Sequence, residues 1–400
     1  MLNAINSPES WHAFLEYKRQ GGHMSRRDMA SLEEFVQQRK YQPIGEMLLA
    51  GGTFAPPRKS EISKLSTGKK RIVYTYAEDE NRVLKLLTYL LQRKYDHIFA
   101  DNLYSFRPHK GVRDAVTRLT RTRNIRQMWS YKVDISNYFN SVPVAQLLPL
   151  LKRTLKDEPG VCVFLESLLS NPLVNDQGRL IPEEKGIMAG TPISTFLANL
   201  YLAHMDHYFS DKGILYARYS DDIILFDPSP DTLEENITQV RQFLQQAGLT
   251  INPAKEARTA PGEPWNFLGI CYRDGIVDVS PVSVEKLKAK MRRKTRALRR
   301  WQGRKGTTGL QAATAFIRVF NKKLFENPVE HELTWARWYF PLINTTDSLR
   351  IIDEYSQSCI RYLATGTRTK AQYNFRYEQM KDLGYVNLVS RYYKQTDNSV

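Results

Sequence analysis

The chain has 400 residues, of which 58 are Lys or Arg and 42 are Asp or Glu, so its formal net charge is +16. A hydrophobic fraction of 42% excludes an intrinsically disordered chain, and 3 widely spaced cysteines exclude a disulfide framework and a zinc knuckle. No apolar run approaches about 18 residues and the N-terminus lacks secretory features, so we expect a cytoplasmic protein with no membrane contact and a polyanionic partner.

The first predicted elements are helices and a hairpin. The Ser-Leu-Glu-Glu pattern at 31–34 resembles a capping box and predicts the start of a helix. Short strands at 64–65 and 71–76 flank a basic hairpin tip, and apolar residues at helical spacing predict a long amphipathic helix over 78–95. Strands followed by helices, and then a helix-rich tail, indicate an α+β protein with an all-α C-terminal part.

Two strand-like segments carry acidic residues. The segment 129–135 contains Asp134, and apolar and aromatic residues flank Asp221 and Asp222 on both sides within 215–226. Adjacent carboxylates in a mostly buried hairpin repel each other and are costly to desolvate, and a bound divalent cation removes that cost. Mg²⁺ prefers such hard oxygen ligands, and two ions about 4 Å apart can stabilise the attacking and leaving oxygens of phosphoryl transfer.

A second group of polar residues resembles a metal site, but the sequence around it offers no further group to complete the site. His204, Asp206 and His207 follow one another on a predicted helix, and no third ligand group is evident near them in the sequence. We therefore interpret His204 and His207 as ordinary histidines of a helix surface.

The segment 286–305 is strongly basic, with 11 Lys or Arg residues and no acidic residue. Leu287, Met291, Leu298 and Trp301 recur at helical spacing, which predicts a helix with a thin apolar seam and a wide basic face. Like charges four residues apart destabilise an isolated helix, so this excess favours contact with an external nucleic acid. The alternative is a basic face that is simply solvated.

The carboxylate motifs resemble those of bacterial reverse transcriptases, the group that includes group II intron, retron and defence-associated enzymes. Residues 219–222 (Tyr-Ser-Asp-Asp) match the hairpin of that family, and 132–139 match its first metal-binding strand. The resemblance implies a right-hand polymerase with fingers and palm built from antiparallel sheet plus helices, and an all-α thumb. It also implies two Mg²⁺ ions, with Mn²⁺ as a substitute, held by Asp134, Ile135 (through its carbonyl), Asp221 and Asp222.

Further residues acquire roles through the same resemblance. Phe139 matches the aromatic residue that excludes a ribose 2′-hydroxyl, which implies dNTP substrates, and Lys255 lies in a motif near the leaving pyrophosphate. The other predicted nucleotide-binding residues lie at the hairpin tip, in the 103–111 motif and in the 186–195 motif: Lys69, Lys70, Arg71, Arg107, Ala189 and Gly190. The resemblance also implies that the basic segment 286–305 is a helix of the thumb. We expect it to contact the nucleic-acid backbone through Lys286, Lys290, Arg292, Arg293, Lys294, Arg296, Arg299 and Arg300.

The resemblance divides the chain into four parts: an N-terminal helical extension at 1–60, fingers at 61–130, a palm with fingers insertions at 131–276, and a basic helical thumb and C-terminal region at 277–400. Ala189 stands where the family usually has Gln, which puts the contact with the nascent base pair in doubt.

The downstream Cys/His cluster of mobile introns and the retron Val-Thr-Gly motif are both missing from the sequence. The chain therefore most resembles the defence-associated "unknown group", whose members copy a structured noncoding RNA from a DNA or RNA primer in antiphage defence. Two alternatives stay open. One is untemplated or protein-primed DNA synthesis on the same fold, and the other is a non-catalytic RNA-binding scaffold. The sequence specifies no oligomeric state.

Overall fold

The structure is a computed structural model that describes residues 1–21, 24–63, 70–325 and 334–397. These residues form two compact units, Met1–Glu263 and Pro264–Val400. The first unit combines two four-stranded sheets with helices, and the second combines a three-stranded sheet with helices. The predicted α+β class is confirmed. Among the described helices, none has the length and apolar character that crossing a bilayer requires.

The first unit contains twelve α-helices and eight strands within its described residues. The helices are α1 Leu2–Ile5, α2 Pro8–Gly21, α3 Arg26–Gln37, α4 Gln42–Leu49, α5 Glu78–Lys94, α6 Val112–Thr120, α7 Tyr138–Ser141, α8 Val144–Thr154, α9 Pro159–Ser170, α10 Ser194–Tyr201, α11 Ala203–Asp211 and α12 Pro230–Gln246. The strands are β1 Arg58–Ser63, β2 Lys70–Thr75, β3 Trp129–Asp134, β4 Leu173–Asp176, β5 Arg179–Pro182, β6 Leu215–Tyr219, β7 Asp222–Asp227 and β8 Ala257–Thr259.

The central sheet of this unit has the strand order β6-β7-β3-β8 and is antiparallel throughout. The inner residues 223–226 of β7 are all buried, because α12 packs against β7 and β3 on one face and the core of the unit lies on the other. A strand covered on both faces reads as a continuous apolar run rather than an alternating one. The predicted segments 129–135 and 215–226 are confirmed as β3 and the β6–β7 hairpin.

The second sheet has the order β2-β1-β4-β5, with β1 and β4 parallel and the other pairs antiparallel. The predicted helix over 78–95 is confirmed as α5, which ends one residue earlier. The predicted helix start at 31–34 is wrong: Ser25 caps α3 by accepting from the Asp28 amide, and Ser31 lies inside that helix. The predicted strand at 64–65 lies outside the described residues.

The second unit contains β9 Trp265–Phe267, β10 Ile270–Arg273 and β11 Ile276–Val279, and then six α-helices within its described residues. These are α13 Pro281–Lys305, α14 Gly309–Leu324, α15 Trp335–Tyr339, α16 Asp347–Thr365, α17 Tyr377–Asp382 and α18 Leu388–Asp397. The helix α13 packs against α14 and α16 through a buried seam of Val284, Leu287, Met291, Thr295 and Leu298. Three of the four predicted seam residues are therefore buried, and Trp301 is only half-buried.

Candidate active site

Strand register brings the three acidic residues together. β3 and β7 pair so that Asp134 lies directly opposite Asp222. Asp221 occupies the turn between β6 and β7, and its carbonyl accepts a 2.9 Å hydrogen bond from the Ile135 amide. Directly opposed residues on antiparallel strands project to the same face. One carboxylate oxygen from each of the three residues lies within 4.8 Å of the others, and we call this set the three-carboxylate cluster.

The cluster has an excess of negative charge. Burial raises the pKa of Asp221 above its usual value, and the charge of Asp134 raises it further. Burial also raises the pKa of Asp222, although the positive charge of Lys132 opposes this. Repulsion between converging carboxylates is what a divalent cation relieves, and oxygen donors at this spacing fit Mg²⁺ or Mn²⁺. The residues present therefore fit a metal site, and the structure does not identify the ion.

Lys255 supplies positive charge to the same place. Its ammonium nitrogen lies 2.5 Å from a carboxylate oxygen of Asp134, in the turn that follows Asn252. Burial alone lowers the pKa of Lys255, but the hydrogen bond to Asp134 and the charges of the three carboxylates raise it overall. Lys255 is therefore protonated at neutral pH and faces the three-carboxylate cluster, and its place near the leaving pyrophosphate stays a prediction.

The turn that carries Asp221 has a strained backbone. Ser220 has a φ of +60°, a region that costs a non-glycine residue about 1–2 kcal/mol. Its amide donates a 2.9 Å hydrogen bond to the Ser105 hydroxyl, and its carbonyl accepts from the Arg218 guanidinium. Strained turns persist where surrounding contacts over-determine them. Ser105 in turn donates to Asn199, so the turn is fixed by a segment far away in sequence.

A buried ion pair underlies this turn. Arg218 and Asp206 are both fully buried, and two guanidinium nitrogens lie 2.8 and 2.5 Å from the two Asp206 oxygens. The Tyr216 hydroxyl also donates to Asp206. Sequence reasoning assigned Asp206 no partner and so missed this pair. An arginine between buried strand residues and an acid on an apolar helix are the sequence signal that could have revealed the pair, because such charges are rarely buried alone.

Three aromatic rings, from the 103–111 motif and from the two metal-binding motifs, contact one another. The Phe139 ring centroid lies 6.4 Å from that of Phe106, which lies 6.2 Å from that of Tyr219. Phe139 is half-exposed and lies five residues after Asp134. The contact of Phe139 with a nucleotide sugar stays a prediction.

The segment containing Ala189 and Gly190 is tied to two elements. The Ala189 amide donates to the Asn140 side chain, and its carbonyl accepts a 2.8 Å hydrogen bond from the Tyr74 amide of β2. Gly190 has a φ of +102°, and a Cβ there would approach the Tyr74 carbonyl oxygen to 3.0 Å. A glycine is therefore needed for this close approach to β2, whereas a longer residue at 189 would meet a buried environment.

The predicted phosphate-binding cations have different surroundings. Arg71, on β2, is near enough for its charge to act on the carboxyl of Asp221. Lys70 is exposed and pairs with Glu61 at 2.6 Å. Lys69 lies outside the described residues.

The prediction that Arg107 binds phosphate does not fit the structure. Its side chain is 5% exposed, and its N–H groups donate to the Asp96 carboxylate and to three backbone carbonyls of the same turn region. Five bonds exhaust the donors of a guanidinium. Arg107 therefore holds the 96–107 loop together.

In the second unit, the predicted basic face is a property of α13. Lys286, Lys290, Arg292, Arg293, Arg296 and Arg300 are exposed, and Lys294 and Arg299 are half-buried. Arg299 lies over the Tyr362 ring, and Arg292 donates to the Tyr355 hydroxyl. The structure keeps these cations on one helix, and their contact with nucleic acid stays a prediction.

Comparison with known proteins points to one family. A family model described as "Reverse transcriptase (RNA-dependent DNA polymerase)" matches residues 58–272. The chain is 27% identical over 161 residues to the "Putative COX1/OXI3 intron 2 protein" of Saccharomyces cerevisiae, covering 40% of this chain and 18% of that protein. It is 24% identical over 200 residues to the group II intron-encoded protein LtrA of Lactococcus lactis subsp. cremoris, covering 50% and 33%. The chain thus spans less than half the length of these relatives.

Solved structures give a more distant likeness. The structure of apo telomerase from Candida tropicalis aligns with a TM-score of 0.49 and 12% identity, covering 83% of this chain and 60% of that chain. With this score and identity, the assignment of the chain to a family rests on the family model alone.

Proposed function

The chain belongs to the reverse transcriptase family, and we propose that it is an RNA-directed DNA polymerase that adds dNTPs to a primer. The observation that carries the proposal is the three-carboxylate cluster, formed by residues 134, 221 and 222 at the end of the central sheet. In the reaction the primer 3′-hydroxyl oxygen bonds to the α-phosphorus of a dNTP, and pyrophosphate leaves.

The side chains of this site have separable tasks. Asp134, Asp221, Asp222 and the Ile135 carbonyl would hold a pair of divalent cations, which would supply Lewis acidity to the attacking and leaving oxygens. The carboxylates orient that site, and the buried ion pair beneath the turn keeps Asp221 in place. Lys255 carries a proton beside Asp134 and can give it to the leaving pyrophosphate. Arg71, together with Lys69 or Lys70, neutralises triphosphate charge.

The direct test is primer extension by the Asp221→Ala/Asp222→Ala chain beside the wild type. Loss of two carboxylates that touch the reacting centre should lower dNTP incorporation at least about 1,000-fold. The matched control is Asp211→Ala, which removes an exposed acid at the end of α11. Equal incorporation by the double variant and the wild type would end the catalytic assignment and favour a non-catalytic RNA-binding scaffold.

Phe139 is the residue that we propose selects dNTPs. Its ring would overlap a ribose 2′-hydroxyl, so Phe139→Ala should admit ribonucleotides while dNTP incorporation changes much less. The measurement is the ratio of rNTP to dNTP incorporation on one template, with Phe106→Leu as a control for the neighbouring ring. Unchanged discrimination in the Phe139 variant would refute its role.

The finer function that we propose is the copying of a structured noncoding RNA in antiphage defence, from a DNA or RNA primer. The net charge of +16 and the 11 basic residues within 286–305 support an RNA partner, and the resemblance to the defence-associated group is the ground for the antiphage role. Untemplated or protein-primed synthesis is the alternative. Sequencing the DNA and RNA that co-purify with the protein distinguishes the two, because templated synthesis leaves DNA complementary to an identifiable RNA.

A further inference from the structure

The second unit contains a cavity of about 400 Å³ between α13, α14 and α15. Its lining combines lysine and tryptophan side chains. We call it the lysine–tryptophan pocket, and its lining residues include Lys286, Lys290, Lys323, Trp335 and Trp338. Lys286 and Lys290 lie one turn apart on α13, and Lys323 reaches the cavity from the end of α14.

Among the described residues, the positive charge in this pocket is not balanced. None of the described residues that line the cavity is acidic, and none of its three lysines forms an ion pair with another described residue. Burial lowers the pKa of Lys290, and the charges of Lys323, Arg293 and Lys286 lower it further. Converging ammonium groups repel each other, and an anion bound among them removes that repulsion.

The aromatic side chains indicate which anion fits. Trp335 and Trp338 are both half-exposed at the cavity, and the Trp335 ring lies 4.6 Å from the Tyr339 ring, centroid to centroid. Indole faces stack on unpaired nucleobases, and lysines bind the phosphates between them. Ligand pockets typically have volumes of about 300–1,000 Å³, so this one is at the small end. A single nucleotide fits there, whereas a duplex keeps its bases stacked inside and cannot present one.

We propose that the lysine–tryptophan pocket binds one unpaired nucleotide of single-stranded nucleic acid, with the lysines at its phosphate and an indole on its base. The inference rests on the proposed function only in taking nucleic acid as the partner. It differs from the backbone contact predicted for α13 because it requires a base that is free to stack. The pocket thereby gives the second unit a preference for single strands.

The test measures binding of two probes to the full chain without dNTPs or divalent metal, by fluorescence anisotropy. The probes are a short labelled oligothymidylate and a hairpin duplex of equal charge. Trp338→Ala should weaken binding of the single strand by about 5- to 100-fold and leave duplex binding unchanged. Trp338→Phe keeps an aromatic face and should bind nearly as the wild type does. Trp301→Ala, on α13 outside the cavity, is the control for loss of an indole.

A charge-matched pair of variants separates the pocket from general attraction. Lys286→Gln/Lys290→Gln/Lys323→Gln should reduce single-strand binding more than duplex binding. The control, Lys288→Gln/Arg292→Gln/Arg368→Gln, removes three charges that lie against Tyr355 and Tyr362, and it should weaken both probes equally.

Two results would overturn the proposal: equal losses for both probes in the pocket variants, or single-strand binding that survives Trp335→Ala/Trp338→Ala. The latter result is also what a pocket filled by an acidic protein segment predicts. Circular dichroism shows whether each variant is folded. Since no catalysis is measured, failure here leaves the primer-extension test of the polymerase untouched.

Discussion

The three-carboxylate cluster and the basic helix α13 are both regions of unbalanced charge, but different forces hold them. Strand pairing and a buried ion pair fix the carboxylates, which are partly removed from water. The cations of α13 are mostly exposed, and an apolar seam on the opposite side of the helix holds it in place. In the first region the charge repulsion destabilises the folded state, because the carboxylates are partly buried. In the second region water and salt screen the repulsion between the exposed cations.

This difference predicts opposite consequences of mutation. Changes near the carboxylates should alter stability as well as activity, because their charges are coupled to the core. Changes on the exposed face of α13 should alter binding and leave folding intact. The following variants test that contrast, beginning with the largest expected change in stability.

Arg218→Met should produce the largest effect. It leaves Asp206 as an uncompensated buried charge, which typically costs about 3–5 kcal/mol. Urea unfolding followed by circular dichroism measures the loss. The double variant Arg218→Met/Asp206→Leu removes both charges and should recover most of the stability. It should still incorporate dNTPs poorly, because the Ser220 carbonyl has lost its donor. Full activity in the double variant would show that the ion pair does not position the turn.

Ser105→Ala should come next. It removes the acceptor of the buried Ser220 amide, and an unsatisfied buried donor costs about 1–3 kcal/mol. Because the loss is at the turn, the Mg²⁺ concentration needed for half-maximal incorporation should rise together with the loss of stability. Ser105→Thr retains the hydroxyl and serves as the control. A destabilised variant with an unchanged Mg²⁺ requirement would make Ser105 a purely structural residue.

Asp222→Asn should have a smaller effect, and in the absence of metal it should stabilise the folded protein rather than destabilise it. Because the folded protein raises the pKa of Asp221 and Asp222, their contribution to stability is greatest below the ordinary value of 3.8 and is lost as pH rises through the raised pKa. In EDTA the variant should therefore melt higher than the wild type at neutral pH and show a weaker pH dependence.

Added Mg²⁺ should reverse this order, since metal binding stabilises the wild type more as its carboxylates lose their protons. Thermal melts across pH with EDTA or Mg²⁺ measure both effects, with Asp211→Asn as the exposed control. Equal responses of the two variants would contradict the coupling.

Arg296→Gln/Arg300→Gln on α13 should change stability least, within about 0.5 kcal/mol, because both side chains are exposed. Binding should nevertheless weaken, and the slope of log affinity against log salt should fall by about 0.7–0.9 for each phosphate that the helix no longer neutralises. Filter binding over a salt series measures the slope. An unchanged slope would support the solvated-face alternative.

The sequence predicted those features that depend on a continuous local pattern, namely strands, a helix and the acidic motifs. The strands β3, β6 and β7 and the helix α5 have uninterrupted apolar or amphipathic patterns, and the motifs around Asp134 and Asp221 identified the acidic residues that meet. The support beneath the site was missed because Ser105 and Ser220 lie in separate motifs 115 positions apart, and neither motif shows that the two residues contact each other. Arg107 was misread for a related reason, since its acceptors are mainly backbone carbonyls, which no residue identity reveals.

The pairing of Asp134 with Asp222 also constrains how this protein can vary in length. Side chains alternate between the two faces of a strand, so an insertion or deletion of one residue inside β3 would turn Asp134 to the opposite face. Substitutions along β3 and β7 can be absorbed one at a time, whereas a shift of a single position would disable the site at once. Insertions and deletions should therefore accumulate in the connections between strands. Within β3 and β7, the number of residues should stay the same.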